Sequence, residues 1–252
     1  MARKNKEGLL DFFINGRRSL VQQWQREISI PDLRKLAEER FSHRKMLPAR
    51  YLGDFLNSKS CLPVPEFVFD SDFRAPLGRS EKSKMECPSA GASALFLPPE
   101  EGLFSLGGDS VPLWVDFLSQ IPPEVLCLRT GFLSTEFDVL ETAALGFHGL
   151  CVHARVLDLY EIQLFTEICR DFSMTLIAIA DSASTVERIL ESDCPYVGLW
   201  GYDVETFSPQ FSLLSKLVPK IPSTCHRVVF LPSTQQVPLD VLRSMSVGAC
   251  FV

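Results

Sequence analysis

The stretch CLRTGFLSTEFDVLETAALGFHGLCV, residues 127–152, reads as one complete strand–helix–strand unit. An apolar run, Val125–Leu128, opens it. Ser134 or Thr135 then offers a side-chain oxygen where a helix needs an N-cap, and a helix is expected over Ser134–Leu145. Gly146 stands where a helix ends in a left-handed residue, and a second apolar run follows at Leu150–His153. Near-continuous apolar strands joined through a helix suit a parallel sheet covered on both faces.

The same unit recurs outward in both directions. Apolar runs are expected as strands at Val64–Phe69, Ser93–Leu97, Thr175–Ala180, Tyr196–Trp200, Arg227–Leu231 and Ala249–Val252. Helical patterns fall between them at Asp158–Phe172, Ser184–Ser192 and Ser208–Val218. Strand and helix alternating around eight strands predict a (β/α)8 barrel, an α/β fold that 252 residues fill as one unit. A doubly wound sheet is the competitor, but it usually carries a Gly-rich turn after its first strand. Here that position reads Asp70-Ser71-Asp72-Phe73.

Two places depart from a full barrel. Residues 80–88, where the first barrel helix belongs, are short and polar, and the eighth strand is expected to end the chain without an eighth helix. The resulting seam invites cover by the N-terminal helices, a partner or self-association. Residues 74–84 and 97–109 are the long loops, the second punctuated by Pro98-Pro99 and Gly107-Gly108. The organisation expected is an N-terminal helical extension over 1–60 and a barrel over 61–252.

Composition narrows the class. Hydrophobic residues make up 46% and charged residues 22%, a balance that allows a sizeable core. No run reaches the roughly 18 apolar residues of a membrane span, and MARKNKEGLLDFF lacks the apolar core of a secretion signal. Eight scattered cysteines form no CxxC pair, and Cys127, Cys151 and Cys250 lie inside apolar runs, so a reduced, cytoplasmic protein is expected. Residues 1–50 hold 12 Lys+Arg against 6 Asp+Glu, while the remainder carries −12. This basic arm is interleaved with Leu9, Leu10, Phe13, Leu20, Val21, Trp24, Leu33, Leu36 and Phe41, which predicts packed helices rather than a nucleic-acid tail. His148 and His153 bracket Cys151, but at opposite ends of a strand, so no metal site is expected.

The opening stretch also resembles the third βα unit of indole-3-glycerol-phosphate synthases, which reads approximately V-L-R-K-D-F-I-I-D-E-Y-Q-I-x-E-A-R-x-x-G-A-D-A-x-L-L. VGLWGYDVETF (197–207) resembles the family's I-G-I-N-N-R-D-L-x-T-F, and LIAIADSASTVERIL (176–190) its L-V-E-V-H-x-x-x-E-x-x-R-A-L. Weaker likenesses are PEFVFDS (65–71), GASALFL with LFSLGG (91–108) and SVGACFV (246–252). The resemblance implies a ring closure on an anthranilate-derived deoxyribulose phosphate, with loss of carbon dioxide and then water. No cofactor is implied. That chemistry needs general acids, a base and a cup of backbone amides for the phosphate.

Position by position, the resemblance retains Glu66 as the strand-one carboxylate. It puts Val68 and Thr130 at the two family lysines, Ala178 at the strand-five glutamate and Trp200 at the strand-six asparagine. Ser71, Phe104 and Arg129 remain as substrate-binding positions, with Ser233 in the phosphate turn after strand seven, where Pro232 removes a backbone donor. Removing one general acid–base group typically costs about 10² to 10⁴ in rate. The expectation is therefore a synthase-like protein of the tryptophan biosynthesis family with lost or severely weakened carboxy-lyase activity. The alternatives are a non-catalytic barrel holding an aromatic or phosphorylated ligand, or a decaying or truncated gene product.

Overall fold

The computed structural model describes residues 9–42, 62–64, 94–97, 126–201, 203, 208, 210–230, 245, 247 and 249–251. Among the described residues there are eight strands: β1 (Leu62–Val64), β2 (Ala94–Leu97), β3 (Leu126–Arg129), β4 (Gly149–His153), β5 (Thr175–Ala180), β6 (Tyr196–Trp200), β7 (His226–Phe230) and β8 (Ala249–Phe251). All recorded pairs are parallel, and the strand order is β1-β8-β7-β6-β5-β4-β3-β2. First and last strands are thus hydrogen-bonded neighbours, with Pro63 opposite Cys250. That is the cyclic order of a (β/α)8 barrel; a doubly wound sheet reverses direction from its middle.

Strands β5 and β6 coincide with their expected runs. Strand β1 overlaps its run only at Val64, because residues 65–69 lie outside the described part. Strand β3 runs one residue beyond the apolar stretch, onto Arg129. The N-terminal helices are α1 (Leu9–Trp24) and α2 (Ile30–Ser42); α3 (Glu136–Leu145), α4 (Leu159–Asp171), α5 (Ala183–Glu191) and α6 (Phe211–Leu217) lie between strands. The last starts three residues later than the pattern suggested.

Local chemistry sets the ends of α3. The Thr135 hydroxyl accepts from the Asp138 backbone N–H, and Asp138 in return accepts from the Thr135 backbone N–H at 3.0 Å. This reciprocal cap satisfies donors that an open helix end would leave bare. Gly146 closes the helix at φ 90°, a conformation costly for any residue with a Cβ.

The core lies between the barrel and its helices. Strand residues Leu150, Val152, Leu176, Ala178, Ala180, Val197, Leu199 and Val229 cluster with Phe137, Leu140, Ile162, Phe165, Val186 and Ile189 of the helices. Alternation puts Ile177, Ile179, Gly198 and Phe230 on the opposite, inward face. A Cβ on Gly198 would meet Ile179 and Phe230 at 3.0 Å and Ile177 at 3.1 Å. Helix α1 buries Leu10, Ile14, Arg17, Val21 and Trp24, a four-three-four-three stripe. Among the described residues no helix is long and apolar enough to cross a membrane.

Candidate functional site at the strand ends

Parallel barrels present their chemistry at the C-terminal ends of the strands. Glu66, Val68, Ser71, Phe104 and Ser233, along with residues 74–93, 98–109 and Pro232, lie outside the described residues. The ends of β3 to β7 are described, and three of the sequence-assigned positions fall on them.

Thr130 follows β3 and is 8% exposed. Its neighbour Gly131, at φ 118°, turns the chain sharply there. Arg129 is directed to the helix layer, so the next residue, Thr130, is on the inward side. Trp200 ends β6 two residues beyond inward-facing Gly198. Its ring meets His153 edge-to-face at 4.9 Å and lies 6.2 Å from Phe230. Both residues lie on the inward side of the strand ends.

Ala178 is different. It is fully buried in the cluster shared with the helices, one residue out of phase with the inward pair Ile177 and Ile179. The strand-five position facing inward near the mouth is Ile179, opposite His153 on one side and Gly198 on the other. Setting the family's arginine on Arg188, instead of its first leucine on Leu176, moves the family glutamate from Ala178 to Ile179. The residue there is apolar in either alignment, and Ile179 is the one on the inward face.

Arg129, assigned to substrate binding, has its guanidinium in a buried ion network. Its Nη2 donates to Glu141 Oε2 at 2.6 Å and its Nη1 to Thr142 Oγ1 at 3.1 Å. Glu141 Oε2 also accepts from Arg17 Nη2 at 2.7 Å, and Arg17 Nε donates to Asp138 Oδ1 at 2.8 Å. Two cations and two carboxylates are thereby enclosed, with Arg129, Asp138 and Glu141 at zero exposure. Burial pushes the Arg129 guanidinium below its ordinary range despite Glu141. For Arg17, burial opposes the charge, but Asp138 and Glu141 outweigh it and hold the group above its usual value. Arg17 also lies 4.6 Å above the Trp24 ring. The network joins α1, β3 and α3.

His153 closes β4 at the mouth. Burial lowers its pKa to about 4, against a smaller opposing pull from Asp181. The imidazole is therefore neutral near pH 7. Phe132 stacks over it with centroids 6.0 Å apart, and Phe13 of α1 stacks on Phe132 at 4.8 Å. Trp200, His153, Phe132 and Phe13 form a continuous aromatic ladder across the strand ends. Sequence reasoning weighed His153 only as a metal ligand; its place at the end of β4, one strand removed from the Trp200 strand, was the available signal. His148 lies at the other end of β4, where Nδ1 accepts from the Cys127 backbone N–H at 2.9 Å. Among the described residues no cluster of three or more His, Cys, Asp or Glu is placed to hold a metal. Cys127 and Cys151 are buried.

Fold and strand-end geometry together define a (β/α)8 barrel whose mouth is lined by aromatic and aliphatic side chains on β4, β5 and β6. The chain is similar in sequence to curated indole-3-glycerol-phosphate synthases. The synthase of Carboxydothermus hydrogenoformans is 26% identical over 215 residues, covering 83% of this chain and 79% of its own. Those of Azoarcus sp. and Laribacter hongkongensis are 27% and 26% identical, and the chain spans about half of the length of each, 48% and 46%. No family model matches the chain.

Solved structures confirm the architecture. Thiamine phosphate pyrophosphorylase from Pyrococcus furiosus aligns with a TM-score of 0.53 at 15% identity, covering 78% of this chain and 87% of that one. An aldolase from Escherichia coli K12 aligns with a TM-score of 0.50 at 11% identity, covering 81% and 79%. At these identities the likeness is one of fold alone.

Proposed function

We propose that this chain is a barrel of indole-3-glycerol-phosphate synthase descent that has lost efficient carboxy-lyase activity. One observation carries the reading: inward strand-end positions on β3, β5 and β6 hold Thr130, Ile179 and Trp200, where the resembled family keeps lysine, glutamate and asparagine. A threonine hydroxyl is too weak an acid to protonate a ketone near neutral pH, and isoleucine offers no proton. Of the titratable groups at the described mouth, Asp181 is tied to Arg155 at 2.9 Å and His153 lies against Trp200. With its pKa lowered by burial to about 4, His153 is neutral at pH 7 and has no imidazolium proton to donate. Retained Glu66 then lacks the lysine partners that the family chemistry requires, since Val68 stands at the other lysine position.

A second reading is favoured by the partly exposed rings of Phe132 and Trp200, which offer stacking surface to an aromatic ligand held without turnover. Complementation separates the readings from a working enzyme. Expression in a tryptophan auxotroph lacking the synthase is expected to give no growth without tryptophan, and growth would overturn the proposal. Thermal stabilisation by indole-3-glycerol phosphate or an anthranilate analogue, without turnover, would favour the second reading.

A further inference from the structure

Helix α1 lies along the C-terminal ends of β3 to β5, and its two halves are held differently. The second half is anchored in the interior by Arg17 on Asp138 and Glu141, by Val21 at 2% exposure and by Trp24 against Phe137. The first half is fastened at its rim by exposed contacts. Arg155 Nε lies 3.4 Å from Asp11 Oδ1 while its Nη1 holds Asp181 Oδ2 at 2.9 Å, and Phe13, 41% exposed, covers Phe132. Between the halves sits Gly16. A Cβ there would meet no described atom within 4 Å, so packing does not require a glycine. A glycine inside a helix weakens it at that point.

We infer that the first two turns of α1 are a salt-sensitive strap over the aromatic mouth, hinged at Gly16 and latched by Arg155 between Asp11 and Asp181. Leu10 and Ile14, at 1% and 0% exposure, keep the closed form dominant, because lifting the strap returns both to water. Lifting it also removes Phe13 from Phe132 and opens the ladder that leads through His153 to Trp200. The device operates whether or not the barrel turns over a substrate, so it stands apart from the functional reading.

Amide hydrogen exchange on the full chain tests it. Arg155→Ala is expected to speed exchange at residues 13–15 by up to about five-fold, the ceiling for an exposed ion pair, and to leave residues 18–24 unchanged. Raising salt to about 0.5 M should do the same in the wild type and add nothing in Arg155→Ala. Gly16→Ala should slow exchange at residues 13–15 by about five-fold, from the helix propensity gained. Uniform acceleration along residues 9–24, or no response to salt and both variants, would overturn the strap.

Discussion

The Trp200 indole meets the His153 imidazole edge-to-face, with centroids 4.9 Å apart and ring planes at 78°. The rings end β6 and β4, the strands on either side of β5, and meet across it at the mouth. Burial holds the imidazole neutral near pH 7.

That neutrality makes stability depend on acid. His153 has its folded pKa lowered to about 4 from 6.5, so between these values the unfolded chain binds a proton that the folded chain refuses. Stability is therefore complete above about pH 6.5 and is lost as pH falls toward 4, by up to about 3 kcal/mol. His226, also lowered by burial, adds a contribution of the same sign. Urea midpoints at pH 7 and pH 4.5 should differ less in His153→Phe than in the wild type; an equal difference would show that His153 is not the source.

The buried network around Glu141 predicts a large structural penalty. Glu141→Ala strands Arg129 and Arg17 beside Asp138 alone, and should cost about 3–5 kcal/mol by urea unfolding. Arg18→Ala, which removes partly exposed bonds to Ser134 and the Val156 carbonyl, should cost about 1 kcal/mol. Similar losses in the two variants would show that the network contributes little.

The inward register of β5 predicts which substitution belongs in a reconstructed site. In a background of Val68→Lys, Thr130→Lys and Trp200→Asn, Ile179→Glu should exceed Ala178→Glu in any synthase activity by about 10² or more. Ala178→Glu drives a carboxylate into the helix-facing core and should unfold the barrel or cost several kcal/mol. Greater activity from Ala178→Glu would mean the register is wrong.

Two glycines are required by close approach. An alanine Cβ at Gly149 would lie 2.3 Å from the Thr175 carbonyl oxygen, a backbone atom that cannot swing aside. At Gly198 the neighbours are side chains at 3.0 Å or slightly more. Gly198→Ala should cost about 1–3 kcal/mol in chemical denaturation, and Gly149→Ala more. The reverse order would contradict the packing described for β4 and β5.

Much of the architecture was legible because its signals are local. The Thr135 cap and Gly146 stop lie within a few residues of the helix they bound, and the apolar runs of β5 and β6 end where polarity changes. Arg129 falls one residue past the apolar run because a charge ends such a run, yet β3 continues onto it; Glu141, twelve residues on, is what lets it stay buried. Arg17 was missed for the same reason, although it occupies one position in the otherwise apolar stripe of Leu10, Ile14, Val21 and Trp24. The one-residue shift between Ala178 and Ile179 was hidden because both residues are apolar, so pattern alone gives no phase. Arg188 carried the correcting signal.

The most direct test is the synthase reaction itself. Purified wild-type chain is incubated with carboxyphenylamino-deoxyribulose phosphate, and formation of indole-3-glycerol phosphate is followed beside Glu66→Gln. The account predicts no product above the buffer rate from either protein. Turnover by the wild type that Glu66→Gln abolishes would contradict it.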